Sequence, residues 1–383
     1  MMKTVTIVGA GMQSRAILYD LLKRSSINNI NKIYLVDRCD SQLRSLKDYI
    51  LNKDLSGEIP IENKNFDLDN IISSGFSHTE TRMEKEFAAL VALSDVLVGA
   101  STYRHNAFMS QVCIENKCNF VDLGGNNSVV SLQNKMSLSA EKEGVTIIPD
   151  CGLAPGMVNV VASHYAKSNP KSLNIYVGGI PQKPKNTMKY ELVFSPTGLV
   201  NEYIEDCNIK KEGEVMTVPP LTGLVNLPPI GKYKDLEAFR TSGGISGMTQ
   251  NIKHVQNLEY KTIRYTGHRG QISLMNELGL FEPELRAETE KRMSEILKPE
   301  GDDVVLVRIE EIDEKNEAIC HDLIVNPQDG LTAMQVATGF SVASVVEMLC
   351  RGIIRDHGTL SQEHGIPQKP FMEMLEQRGI IFT

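Results

Sequence analysis

The chain has 383 residues, 41% of them hydrophobic and 23% charged, with a formal net charge of −8 at pH 7. That length spans roughly two to three domains with an ample core, and an acidic balance without any basic run argues against a nucleic-acid or anionic-membrane surface. Seven scattered cysteines without a C-x-x-C pair or a histidine cluster suggest reduced thiols, a cytoplasmic setting and no metal site, and neither a secretory leader nor an apolar run near the ~18 residues of a membrane span is expected.

Thr4 to Arg15 reads T-V-T-I-V-G-A-G-M-Q-S-R, and a second apolar run, I-Y-L-V-D, closes on Asp37. Strand, glycine bend, helix and then an acid are the pattern of a dinucleotide pocket. Gly9 permits the tight turn. Gly11 lets the backbone approach a pyrophosphate at the next helix's N-terminus, where Met12 and Gln13 form the first turn. Asp37 would accept hydrogen bonds from the adenine ribose and repel a 2′-phosphate, so the expected cofactor is NAD; the adjacent Arg38 is the residue able to meet such a phosphate. Ser14 stands where a glycine or alanine usually lets helix and strand pack closely, and it is small enough to keep the site.

Helical spacing follows over 41–52, a strand over 59–66, a helix over 81–93 and a strand over 94–102. A helix then runs through Cys113, a strand over 119–126, a helix through Ala140, and a sixth strand over 145–152. Continuous rather than alternating hydrophobicity, with helices between, predicts a doubly wound parallel α/β sheet over residues 1–152. Ligands of such sheets lie beyond the carboxyl ends of the strands. Ala100, Ser101, Asp122, Gly124, Cys151 and Gly152 are therefore expected at the cofactor, and Tyr103 at the substrate. D-C-G-L-A-P-G-M-V-N, from Asp150 to Asn159, reads as the hinge out of this domain. Cys151 has no local histidine to serve as its base, so a buried thiol fits better than a nucleophile.

From Leu173 the apolar residues alternate, in N-I-Y-V-G-G, M-K-Y-E-L-V-F, Y-K-T-I-R-Y-T, D-V-V-L-V-R-I-E and A-I-C-H-D-L-I-V, which predicts a second α+β domain over 153–330 on a largely antiparallel sheet. The proline-rich stretch from Val218 to Pro229 is expected as a surface loop or dimer-contact arm. The segment 331–383 opens with a helix that is apolar nearly all round, and it is expected to return to the dinucleotide domain.

The blocks G-A-G-M-Q-S-R, D-C-G-L-A-P-G-M-V-N, Y-V-G-G-I-P, Y-E-L-V-F-S-P-T-G-L-V-N-E-Y, E-A-F-R-T-S-G-G, Y-K-T-I-R-Y-T-G-H and T-A-M-Q-V-A-T-G-F together resemble the saccharopine dehydrogenase-like family over essentially the whole chain. D-C-G-L-A-P-G and V-G-G-I-P look closest to its lysine 6-dehydrogenase group, which oxidises the ε-amine of lysine to allysine and ammonia with NAD. The resemblance implies a homodimer built through the second-domain sheet, with an amino-acid substrate held between the domains. Ser14 and Arg240 depart from the commonest family pattern.

Hydride can leave a carbon bearing nitrogen only when the amine is neutral, and a lysine ammonium has a pKa of about 10.4. His268, after a strand and opening a helix, is the expected proton acceptor, with a helix cap or structural histidine as the alternative. Arg264, on the same strand face if the strand continues, is the expected carboxylate fork, with an ion pair as the alternative. Arg240, Thr241 and Ser242 are further substrate candidates. His78, His164 and His357 lack metal-ligand spacing and have no assigned role. A saccharopine-type enzyme acting on a secondary amine would need added cations, which Lys183, Lys185, Lys189 or Arg269 could supply; a non-catalytic NAD-binding sensor is the third reading.

Overall fold

The computed structural model describes residues 2–55, 59–73 and 82–383. The chain forms two compact units, Met1–Gly152 with Thr338–Met374, and Leu153–Ala337 with Leu375–Thr383. The tail is thus divided where it was expected to go whole to the first unit. Its last residues belong to the second because Asp322 and Thr383 exchange backbone hydrogen bonds of 3.0 and 2.9 Å.

In the first unit, β1 (Lys3–Val8), β2 (Ile30–Asp37), β3 (Ile61–Asn65), β4 (Val96–Gly99), β5 (Asn119–Asp122) and β6 (Thr146–Ile148) form a sheet in the order β6-β5-β4-β1-β2-β3. Every pairing is parallel. A seventh strand, Gly358–Thr359, adds to β6 in parallel. It is too short to show a period, which is why six strands were the expectation. Phe87, Leu97, Phe120 and Ile147 are among the buried core residues here. The helix expected over 81–93 runs Arg82–Ala92, Thr81 and His78 lying outside the described residues.

The second unit holds β7 (Ser172–Pro181), β8 (Cys207–Lys211), β9 (Glu214–Val218), β10 (Val225–Leu227), β11 (Leu236–Phe239), β12 (Asn257–Tyr265), β13 (Asp303–Ile312) and β14 (Ala318–Val325). Their order is β10-β11-β12-β7-β13-β14, with β8 on β12 and β9 on β8. Only the β12–β7 pairing among these is parallel, so the sheet is mixed. Residues 188–194, expected as a strand, run irregularly: Tyr190 and Leu192 are buried and Leu192 N–H donates to the Leu297 carbonyl, so the alternation records packing rather than a ladder. The expected 218–229 loop contains β10.

Period-two alternation along β12 decides the site. Ile263 and Tyr265 join the core that contains Tyr176, Leu236 and Leu306. Arg264 therefore points to the opposite face, where Tyr190, Tyr203 and Phe239 pack.

The helix Ala333–Cys350 is by length and composition able to cross a membrane, contrary to expectation, and 94% of it is buried in the protein. Within the first unit it lies against Met12–Lys23: a Cβ on Gly339 would come 2.4 Å from the Ala16 Cβ, and Phe340 stacks on Tyr19. Gly339→Leu should destabilise the protein by about 1–3 kcal/mol through overpacking, although leucine is the better helix former by under about 1 kcal/mol. Thermal unfolding checks this, and Ala16→Gly in the same chain should recover part of the loss.

Candidate functional site

In the first unit the glycine turn leaves β1 with Gly9 at φ +103°, where a Cβ would stand 2.6 Å from the Ala100 carbonyl oxygen. Only glycine meets both demands. Ser14 is fully buried and donates its hydroxyl to the Gly9 carbonyl, so the residue replacing the usual glycine or alanine ties the turn shut. Asp37 at the end of β2 accepts from Ala10 N–H at 2.7 Å and Cys39 N–H at 2.8 Å, one bond on each oxygen. A carboxylate has about four acceptor positions, so half remain for ribose hydroxyls.

The space next to this turn suits a dinucleotide. A Cβ on Gly11 would touch nothing within 4 Å, and the helix Met12–Lys23 has neither a side-chain cap nor an acid in its first turn among the described residues. Its positive end is left for a phosphate. Met12 is exposed, and the buried Gln13 Oε1 has no hydrogen-bond partner among the described residues, leaving an acceptor at the turn.

Arg38 and Ser101 belong to one polar chain that sequence spacing did not reveal. Arg38 Nη1 lies 2.9 Å from Asp69 and 3.9 Å from Asp67. The other Asp69 oxygen is 2.9 Å from His105 Nε2, and His105 Nδ1 is 3.2 Å from the Ser101 hydroxyl. The His105 hydrogen bond holds the Asp69 carboxyl below its ordinary pKa. Ala100 N–H bonds Val8, and Tyr103 lies in the short turn Tyr103–His105 with its ring beside Gly125.

Of the remaining strand-end candidates Asp122, Cys151 and Gly152 turn inward, whereas Gly124 stays half-buried. Asp122 is fully buried and accepts from Gly124 N–H, Asp150 N–H and the Gln133 amide, at 2.8, 3.0 and 2.7 Å. It joins the ends of β5 and β6 and has no surface to give a cofactor. Cys151 donates its thiol to the Ile148 carbonyl, and burial raises its pKa well above the ordinary value, which makes it inert; Gly152 is buried beside it. Among the described residues no group of His, Cys, Asp and Glu gathers to hold a metal.

In the second unit, Arg264 is 3% exposed and two of its three guanidinium nitrogens are hydrogen-bonded within the chain. Its Nε donates to the Tyr203 hydroxyl at 3.1 Å, Nη1 to the Ile263 carbonyl at 2.9 Å, and Nη2 lies 3.7 Å from Glu202 Oε2. The group sits 4.7 Å over the Tyr190 ring. Arg264 has no open fork for a carboxylate, which corrects the expected role; it organises its neighbours. Because the Tyr203 oxygen accepts from Arg264, its proton goes to His268 Nε2, 3.0 Å away, and His268 Nδ1–H donates to the Met188 carbonyl at 3.0 Å. Both ring nitrogens are occupied.

Burial and the nearby Arg264 push the His268 pKa down to about 3, so this histidine stays neutral and is not the group that exchanges protons near neutrality. Burial raises the Tyr203 hydroxyl to about 12 and the Glu202 carboxyl to about 7, the latter opposed by Arg264. The other substrate candidates are also internally bonded: Arg240 pairs with Glu259 at 2.8 Å, Thr241 meets Thr262 at 2.6 Å, and Ser242 donates to the Asn201 carbonyl at 3.2 Å. Glu202, Tyr203 and Tyr190 are the participants that sequence reasoning missed, although all three lie in the Y-E-L-V-F-S-P-T-G-L-V-N-E-Y block.

The His268 shift has a stability consequence. Its folded pKa lies below the ordinary 6.5, so its contribution is complete above pH 6.5 and is lost as pH falls toward 3. Glu202 acts oppositely: raised from 4.5 to about 7, its contribution is complete below pH 4.5 and is lost as pH rises through 7. His268→Gln should cost about 1–3 kcal/mol at neutral pH and lose less stability than the parent on acidification from pH 6.5 to 4, as read by denaturant unfolding.

Family models for the saccharopine dehydrogenase NADP binding domain and the saccharopine dehydrogenase C-terminal domain match residues 5–148 and 152–380. Mitochondrial alpha-aminoadipic semialdehyde synthase of Rattus norvegicus is 22% identical over 246 residues, 61% of this chain and 26% of that protein. The Bos taurus protein of the same name is 22% identical over 291 residues, 73% of this chain and 28% of its own length. The chain thus spans about a quarter of these relatives' length. Apo saccharopine dehydrogenase (L-Glu forming) from Saccharomyces cerevisiae shares the fold, with TM-score 0.76 at 15% identity over 100% of this chain and 99% of that one. With both domain models matched in order along the chain, this protein belongs to the saccharopine dehydrogenase family, whose first domain binds NAD(P).

Proposed function

We propose that this chain is an NAD-dependent amino-acid dehydrogenase that oxidises the ε-amine of L-lysine to allysine and ammonia, in the cytoplasm and as a homodimer. The carrying observation is that, of the cations a larger, multiply acidic substrate would need, all but the exposed Lys183 are already engaged within the chain, Lys189 on the Thr266 carbonyl. Lys185 pairs with Glu300, Arg240 with Glu259, and Arg269 donates to the Leu221 carbonyl at 2.8 Å. Saccharopine joins two amino acids through a secondary amine and carries more carboxylates than lysine. This arrangement therefore favours the smaller substrate.

The same reasoning favours NAD. Asp37 stands at the end of β2, and the adjacent Arg38, which could meet a 2′-phosphate, pairs with Asp69 and lies near Asp67. A phosphate there would meet the repulsion of these carboxylates together with the attraction of the guanidinium. In this reading Gly9, Gly11, Gln13 and Asp37 hold the dinucleotide, which when bound accepts a hydride from the carbon bearing the amine. The chain must also take a proton from the lysine ammonium beforehand and admit water to release ammonia afterwards.

Lysine should support NAD reduction at alkaline pH, whereas saccharopine in the same assay, and lysine with 2-oxoglutarate run reductively, should not. Turnover of saccharopine alone would transfer the assignment to the secondary-amine reading, and NAD binding without amine turnover would make the chain a sensor. Asp37→Ala should relax the preference for NAD over NADP. Asp69→Asn should free Arg38 and raise NADP affinity about two- to fivefold, a modest gain because the ion pair is exposed. Calorimetric binding of the two cofactors measures both.

A further inference from the structure

We infer that Glu202 is the residue that takes the proton from the substrate ammonium, with Arg264 as its positioning residue; this rests on the amine-oxidising reading above. Two motifs that the cofactor site does not use meet here. Glu202 and Tyr203 lie on the helix Pro196–Ile204, Arg264 on β12, and His268 opens the helix His268–Glu277.

Comparison with the buried acids of this unit sets the half-buried Glu202 apart. Glu191 accepts from Glu300 N–H, Glu237 from Gly267 and Arg269 N–H, and Asp303 from Ala333 and Met334 N–H. Those carboxylates are spent on backbone donors, and that of the buried Glu311 on the Ser168 hydroxyl and His321. The Glu202 carboxylate accepts no hydrogen bond from the described residues; its cationic neighbour is Arg264 at 3.7 Å, beyond hydrogen-bond length. A quarter of its side chain, 26%, still reaches solvent, whereas Arg264 and His268 are closed off. It is thus an acid with acceptor positions unfilled, an access route, and a buried cation that keeps it ionisable.

The groups that face it complete the electrostatics. Tyr190, Tyr203 and Tyr260 are held neutral by burial, and His268 is neutral for the reason given above, so Arg264 is the fixed charge on that side. On its own helix and just beyond lie Glu205 and Asp206, and from the helix Pro283–Ile296 Arg286 reaches Asn201 and pairs with Glu290. The resulting acidity near neutrality matches a group that must accept and release one proton per turnover.

The chemistry balances with one proton stored on Glu202. The N–H bond of the ammonium breaks, its proton forms an O–H bond on the carboxylate, and the nitrogen keeps the electron pair. That pair forms the C=N bond as the neighbouring carbon loses hydride to the oxidised nicotinamide dinucleotide. Water then adds to the iminium carbon, ammonia departs with one proton as ammonium, and Glu202 returns its proton to solvent.

Glu202→Gln should lower kcat for lysine by about a hundredfold or more while leaving NAD affinity, measured by calorimetry, unchanged. Glu202→Asp should recover part of the rate and retain the acid limb of the pH profile. Arg264→Gln removes the charge that lowers the Glu202 pKa, so that limb should move to higher pH. Difference infrared spectroscopy of the resting protein should show a carboxyl band that titrates near neutrality and is missing from Glu202→Gln. A parental rate in Glu202→Gln, an unmoved limb in Arg264→Gln, or a titrating band that survives the substitution each overturns the assignment. Failure of the parent protein to oxidise any primary amine sinks the underlying reading instead, so the two failures are told apart.

Discussion

A guanidinium that cannot lose its charge, buried behind the mixed sheet, is the constraint from which the second unit's arrangement follows. Arg264 must be met by acceptors because an unpaired buried charge costs several kcal/mol. The Tyr203 oxygen and the Ile263 carbonyl supply them, and Glu202, 3.7 Å from the guanidinium, adds the opposite charge. Each choice limits the next: the Tyr203 proton turns to His268 Nε2, which places the histidine's own proton on Nδ1, against the Met188 carbonyl. A residue whose type suggests proton exchange is thereby a fixed, neutral spacer.

The first unit uses a carboxylate for a comparable purpose. Asp37 both closes the glycine turn, through Ala10 N–H, and shapes the start of the next loop, through Cys39 N–H. Part of its acceptor capacity is structural and part is left for a ligand. Asp69 likewise serves two neighbours, since it engages Arg38 on one side and His105 on the other, and His105 reaches Ser101 at the end of β4. One acid therefore holds both the arginine next to Asp37 and the histidine that meets a strand-end hydroxyl.

Legibility followed distance along the chain. The turn from Val8 through Ser14 and the acid closing β2 were readable because a parallel strand, its following turn and its helix are contiguous, and each residue type answers a local geometric demand. Strand-end polarity misled at Asp122 and Cys151. A turn residue and a ligand residue have the same composition, and only the three donors around the buried Asp122 distinguish them. Residues 188–194 alternate like a strand, yet their apolar positions answer to the packing of Tyr190 and Leu192 in a helical core.

Residue order alone determined the parallel α/β architecture of the first unit, the glycine turn with its acid, and the switch to an alternating second sheet, because these depend on periods and spacings within a few tens of residues. The tertiary structure decided which polar groups remain available for chemistry. Tyr203 and His268 are 65 positions apart, and Arg264 and Tyr203 are 61 apart, so their proton order exists only once the helix and strand pack together. Burial and neighbouring charge, which set a side chain's acidity, are properties of that packing and have no counterpart in the local sequence.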